Sequence, residues 1–287
     1  MNSPLATLDV AARHASSLAW HPRADVIFAG GFEGALKAFS TTTWRPLLDW
    51  SEDHDAAVAT LDISHDGARV ASAGASNRVV VRDFEDGHVV TTIDHFDGAW
   101  FVPGRNDLLA LTKPGNSSLY LYDIKLGAAL TAFRTQAKPP VWPVFVTDES
   151  VVIAAVRGAS ELWHVGSGAR VGALKPAEDV LSVCASGDRR AVLLLCTNGK
   201  ADVVDVHTGT RLGARTFAPG HAYLAAHPSS ERYATSGDGG VSLWRGSGAA
   251  TRFEVGLKGV YQNAFSPDGK MLGNVAADGK LRVWSLV

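Results

Sequence analysis

Ten histidines, two cysteines and several acidic pairs are the residues with which this chain could do chemistry. A hydrolytic or metal site gathers such groups at short fixed spacings. H-E-x-x-H holds zinc from one helix face, G-x-S-x-G raises a nucleophilic serine, and a Gly-rich loop that opens a helix cradles phosphate. None of these patterns is present. Cys184 and Cys196 have no Cys or His beside them at ligand spacing. Read as two strands of one hairpin, the sequence sets Cys184 opposite about Val192 and Cys196 opposite about Val180, so buried free thiols in a reducing compartment are expected. His14, His54, His95 and His221 recur ahead of extended runs, and His21 and His227 both precede proline. Their recurrence gives them a structural cause, and turn and loop histidines are the plainer account than ligands or bases. The acidic stretch Asp53 to Asp55 and the pair Glu178-Asp179 fall in connecting loops and read as solvated charge. The Gly-rich stretches 30–34 and 237–240 each lie between two extended runs, so they are turns rather than phosphate loops. The expectation is no catalytic group, no metal and no cofactor.

The elements that position these residues repeat. From Val260 the chain runs through an extended segment to Phe265, the turn Ser266-Pro267-Asp268-Gly269, a second extended segment, the turn Asp278-Gly279, and a third ending at Trp284. Proline presets φ in such turns and glycine supplies positive φ. Residues 220–248 repeat the unit, and Trp244 lies 40 residues before Trp284. Aligned at that place, the series reads Phe39, Arg82, Tyr122, Trp163, Val204, Trp244, Trp284, with steps of 43, 40, 41, 41, 40 and 40. Gly87, Gly127, Gly168 and Gly209 mark a further turn before a fourth strand. Seven four-stranded units at this period predict an all-β, seven-bladed propeller over residues 1–287 as a single domain. Residues 4–10 read as a lone fourth strand that completes the last blade and removes an open edge.

Bulk properties narrow the function classes. With 27 Lys+Arg against 29 Asp+Glu the net charge is −2, and no basic stripe of the kind nucleic-acid binders carry is visible. No run approaches the ~18 apolar residues of a membrane span. The first twelve residues lack the cationic start and apolar core of a secretion signal, which leads to an expectation of a cytoplasmic protein.

The turn-and-strand stretches 236–244 and 277–284 resemble the WD-repeat β-propeller family. That resemblance implies a buried polar network of His, Ser/Thr, turn Asp and Trp. His221, Ser236, Asp238 and Trp244 would form one set, and Asp278 with Trp284 half of another. There is no literal Trp-Asp pair, and Phe39, Arg82, Tyr122 and Val204 replace the Trp in four blades. Most blades are therefore expected to lack the network and to rely on apolar packing.

The resemblance further implies a non-enzymatic scaffold for protein–protein interaction, as one subunit of a multi-protein assembly. Fold alone does not give function. The alternatives are a lactonase-like propeller hydrolase, with Arg157, Glu178, His14 and His95 converging in the channel, and a short-peptide reader at the channel rim. Rim positions carried over from the family are mostly Ala or Gly, with His14, Phe32, His95, Asp97, Glu178 and Tyr261 standing out. Asp97 and Glu178 with Phe32 and Tyr261 would make an acidic, aromatic pocket. Outside the rim, Trp44, Trp50 and Trp142 sit in loop-like segments, the last in Lys138-Pro139-Pro140-Val141-Trp142-Pro143 between blades 3 and 4. Tryptophan is enriched in interface hot spots, and the competing account is that each caps a gap between blades.

Overall fold

A computed structural model describes residues 3–136, 139–147, 149–155, 160–174, 176, 178–217, 220–237, 240–245, 251–254 and 259–286. The chain forms seven four-stranded antiparallel sheets. Blade 1 comprises Ala15–Trp20, Val26–Gly31, Leu36–Ser40 and Pro46–Asp49, in sheet order. Blade 2 comprises Val58–Ile63, Arg69–Gly74, Arg78–Asp83 and Val89–Asp94. Blades 3 to 6 follow with the same connectivity, beginning at Gly98, Val141, Val180 and His221. Blade 7 takes Val260–Phe265, Met271–Ala276 and Lys280–Ser285 from one end of the sequence and Ala6–Asp9 from the other. Ala6 pairs with Val283 and Asp9 with Lys280, so the ring is closed by hydrogen bonds between its two termini.

The second strands read as unbroken apolar runs, such as Val26–Gly31 and Ala191–Cys196, every residue buried. Both faces are covered because each blade is sandwiched between two others. Ile27 and Ala29 pack toward blade 7, while Val26 and Phe28 pack toward blade 2. Seven apolar clusters result among the described residues, one at each seam. Each blade thus buries its surface only against its neighbours.

The first strands contact one another around the ring and enclose the channel. They are not regular. A register shift at the second residue leaves Ser16, Ala59, Leu181, Ala222 and Tyr261 unpaired in five blades. The fourth strands carry a matching feature at the outer edge, where six blades show a register shift, near the strand start in five of them. Leu47, Leu130, Val171 and Leu212 are the bulged residues in four of them, each at least half exposed. Bulges twist a strand and spoil its edge as a template for another chain.

Several positions differ from the sequence expectation. The aligned aromatic or substituted residue is next to last in its strand, as in Lys280–Ser285 with Trp284. The last residue caps the turn that follows. Asp83 accepts from the amides of Glu85 and Asp86, Asp123 from that of Leu126, and Asp205 from those of His207 and Thr208. Cys196 does face Val180, but Cys184 faces Leu193, because the bulge at Leu181 moves the register by one. Val141–Phe145 is the first strand of blade 4, so Trp142 and Pro143 are strand residues rather than loop. Pro143 is tolerated there because this strand is the inner edge of its sheet and need not donate outward.

Candidate functional site

The polar network of blade 6 centres on Thr235. Trp244 Nε1 donates to its hydroxyl at 2.8 Å, and His221 Nδ1 bonds the same oxygen. Ser236 is not the shared group. Tyr233 pairs with Trp244, so residues 233 and 235 share the indole's face and Ser236 points to the other one. There it accepts from Asn263 Nδ2 of blade 7 at 2.6 Å. His221 is the first residue of its strand rather than a residue ahead of it. Asp238 lies outside the described residues. In blade 7, Asp278 turns to Arg282 in a bidentate pair instead of toward Trp284, which is buried against blade 6.

Blade 2 holds a network that the sequence did not disclose. His54 bonds Ser72 through Nε2 at 2.8 Å and Ser76 through Nδ1 at 2.9 Å. Burial lowers the His54 pKa below its ordinary value, against the nearby Asp53 carboxylate, which raises it. Arg82 fills the place of the tryptophan. It makes two bonds to Asp53, at 2.7 and 2.5 Å, and lies 5.3 Å from the Trp50 ring centroid. Asp53 is therefore not solvated loop charge; its side chain is 7% exposed. Its hydrogen bond to Arg82 raises the guanidinium's pKa further. Buried acids in blades 4 and 5 are paired likewise, Glu161 with Arg170 and Trp163 Nε1, Asp202 with Arg211. The expectation that apolar packing alone holds these blades is corrected accordingly.

Two histidines act as clips between blades. His21 Nε2 bonds the Gly67 carbonyl of blade 2 at 2.9 Å, and its Nδ1 accepts from the amides of Arg23 and Ala24. His227 reaches Gly269 of blade 7 in the same way. Glycine is required at both turns, since φ is +81° and +72° and a Cβ would sit within 2.5 Å of each imidazole.

The central channel encloses about 690 Å³. Every blade contributes at least one first-strand residue to its wall, among them Ser16, Thr60, Trp100, Trp142, Ser182, Tyr223 and Gln262. Side chains on this wall also tie blade to blade. Gln262 accepts from Leu18 N, Thr60 from Ala99 N, and Ser182 from Leu224 N. Asp62 accepts from Phe101 N at 2.7 Å, and burial pushes its carboxyl up to about 7. Trp100, Trp142 and Tyr223 make the wall more aromatic than the Ala- and Gly-rich rim implied. Tyr223 directly follows the bulge residue Ala222, and Trp142 lines the wall beside its neighbour Val141.

Asp97 faces the channel and accepts from the Thr112 hydroxyl at 2.8 Å. Trp100 folds back beside it over Gly98, where a Cβ would lie 2.5 Å from both the indole and the Thr112 oxygen. Across the mouth, Phe32, His14 and Tyr261 form an aromatic ledge. Phe32 stacks on His14 at 4.7 Å between centroids, and His14 Nδ1 bonds the Tyr261 hydroxyl at 2.7 Å. Phe32 keeps 39% of its surface exposed.

The other singled-out residues divide. His95 and Glu178 are exposed and do not line the channel. Trp50 is buried in the seam of blades 1 and 2, and Trp44 packs against the seam of blades 7 and 1 at φ +58°. Trp44 takes the turn place that Gly87, Gly127, Gly168 and Gly209 hold elsewhere. Trp50 thus caps a gap and is closed to a partner. Arg157 lies outside the described residues. No hydrogen bond or ion pair joins His14, His95 and Glu178 to one another among the described residues. Asp83, half-buried, and the exposed Asp86 and His88 bring three potential ligand atoms together, and His88 already bonds Asp86. Cys184 is pushed up to about 12 by burial, which removes its nucleophilic form. No helix among the described residues is long and apolar enough to cross a membrane.

Comparison with known proteins adds two findings. The WD40 family (WD domain, G-beta repeat) matches residues 255–285. Telomerase protein component 1 of Mus musculus is 26% identical over 145 residues, 49% of this chain. The same protein of Rattus norvegicus matches at 26% over the same length. In both cases the match covers 6% of the relative's own length.

Proposed function

We propose that this seven-bladed propeller of the WD-repeat family is a non-enzymatic scaffold, working as one subunit of a multi-protein assembly and holding a partner segment at the mouth of its channel. The observation that carries the proposal is the WD40 match on a closed seven-bladed ring. The telomerase component to which half the chain is similar is by its name part of an assembly, which supports the subunit reading. The aromatic channel wall and the Asp97 carboxylate favour the mouth as the place where a partner inserts a side chain. Large aromatic anchors are what interfaces concentrate their energy on. We place the protein in a reducing, cytoplasmic compartment, a reading that its two free thiols support. Direct nucleic-acid binding is no part of the proposal.

Purification of the tagged protein from its native source, at moderate and at high salt, tests the scaffold. A stoichiometric partner that survives high salt is expected, and its loss on substituting Trp142 by Ala would place the contact at the channel. Recovery as a lone monomer under both conditions overturns the reading.

A further inference from the structure

A second cavity of about 400 Å³ lies outside the channel, on the seam between blades 1 and 2. Phe32 lines both cavities, so one exposed ring is the wall that separates them. The seam pocket is bounded by Arg13, His14, Glu33, Asp55 and the small residues Ala56 and Ala57. Its shape is built by the backbone. The short turn Phe32–Gly34 follows the second strand of blade 1. Gly34 has φ +81° and lies so close to the loop of blade 2 that a Cβ would sit 1.8 Å from the His54 carbonyl oxygen. That close approach brings the turn bearing Glu33 against the loop bearing Asp55. Glu33 and His14 both hold left-handed backbone, at φ +63° and +55°. Phe32 N donates to the His14 carbonyl at 2.9 Å, which fixes the ledge. Strained backbone of this kind persists only where its surroundings over-determine it.

The charges around this groove are one-sided. Glu33 and Asp55 face the seam pocket and Asp97 faces the channel. Arg13 is the one Lys or Arg lining either cavity among the described residues, and it lies 3.6 Å from Glu33. One carboxylate therefore stays uncompensated in each cavity. A cation reaching over Phe32 would also meet the ring face that is open to solvent, and a cation over an aromatic face gains about 0.5–1 kcal/mol at exposed sites. We propose that the seam pocket is a subsite for one lysine or arginine side chain of the partner segment, its stem lying across Phe32 and its charge between Asp55 and Glu33. The neighbouring part of the segment enters the channel mouth. This rests on the scaffold reading and specifies the chemistry of its partner.

Capped pentapeptides Gly-Gly-X-Gly-Gly, with X as Arg, Lys, norleucine or Glu, are the probes. Amide shifts of Ala56 and Ala57 report the seam, and the indole N–H signals of Trp100 and Trp142 report the channel. The Arg and Lys peptides are expected to shift the seam signals and to bind about tenfold more tightly than the norleucine peptide, from two exposed charge contacts and one ring contact. The Glu33→Gln, Asp55→Asn double variant, altered only at exposed positions, should bring that ratio near unity while keeping the channel signals where they were. Equal binding of the Arg and norleucine peptides, or a preference that survives the double variant, overturns the subsite. Shifts confined to Trp100 and Trp142 overturn the subsite and leave the channel reading standing. Absence of any shift with all four peptides overturns both.

Discussion

Blades 2 and 6 fill the same slots with different chemistry. In each, a histidine bonds a hydroxyl on the second strand, His54 from the entering loop to Ser72 in one and His221 from the first strand to Thr235 in the other. These hydroxyls are equivalent by register, since Val70 pairs with Arg82 as Tyr233 pairs with Trp244. At the next-to-last place of the third strand, blade 6 has an indole and blade 2 a guanidinium. Both are flat N–H donors. The indole needs one acceptor and finds Thr235 within its own sheet. The guanidinium needs a counter-charge, and Asp53 provides it from the loop that enters the blade, with Trp50 of blade 1 beside it. In these two blades the slot therefore takes a planar donor, whereas Phe39 and Val204 fill it with apolar groups in blades 1 and 5. The price of the charged solution is that blade 2 depends on residues outside its own sheet.

That dependence is where the comparison breaks first. Arg82→Met keeps the length of the stem but leaves Asp53 buried without its partner. Removing one member of a buried pair costs about 3–5 kcal/mol, and the partial exposure of Arg82 puts the expected loss near ~3 kcal/mol. Urea unfolding at neutral pH measures it. A loss below ~1 kcal/mol would mean that the pair is no more than a surface contact. Blade 6 should yield less. Thr235→Val keeps the shape and removes the hydroxyl that both Trp244 and His221 bond, at about 2 kcal/mol for the two hydrogen bonds lost. Ser236→Ala removes one neutral bond, to Asn263, at about 1 kcal/mol. If Ser236→Ala proved the more damaging of the two, the assignment of Thr235 as the centre would be wrong.

The same comparison shows which parts of the molecule were legible. The 40-residue period fixed the number of blades because each turn needs a residue with positive φ, and glycine at 87, 127, 168 and 209 marks it. The ring closure was legible because residues 4–10 read as a strand without a partner nearby, and the strand is Ala6–Asp9. Asp83, Asp123 and Asp205 went unnoticed, although each stands four residues before its turn glycine, a spacing that betrays the cap. The aromatic channel wall was not legible at Tyr223, because alternation cannot be followed through a bulge and five of the first strands carry one at their second residue. The Arg82–Asp53 pair was illegible for another reason. It joins residues 29 apart, and nothing local in either stretch signals the other. The seam pocket was likewise hidden, because Glu33 and Asp55 meet only through the close backbone approach at Gly34.

The pH dependence of stability tests blade 2 in another way, because it reads charge rather than shape. Burial lowers the pKa of His54, so the folded state favours the neutral imidazole more than the unfolded chain does. The stabilising contribution is present above pH 6.5 and is lost as pH falls through the folded value. His21, lowered mainly by burial, acts in the same direction. Asp62 acts in the opposite one. Its pKa is raised from 3.8 to about 7, so its contribution is full below pH 3.8 and is lost as pH rises through 7. Each group changes stability by at most about 1.4 kcal/mol per pH unit. Between pH 4 and 6.5 the terms oppose, and the native protein should show a shallow profile in urea midpoints. His54→Gln should lessen the loss on the acid side. Asp62→Asn should expose it, giving a steeper fall toward pH 4 and higher stability than the native protein relative to acid at pH 8. Parallel profiles for all three proteins would show that neither the blade 2 histidine nor the acid at its seam with blade 3 titrates with folding. The charged solution of blade 2 would then rest on Arg82 and Asp53 alone.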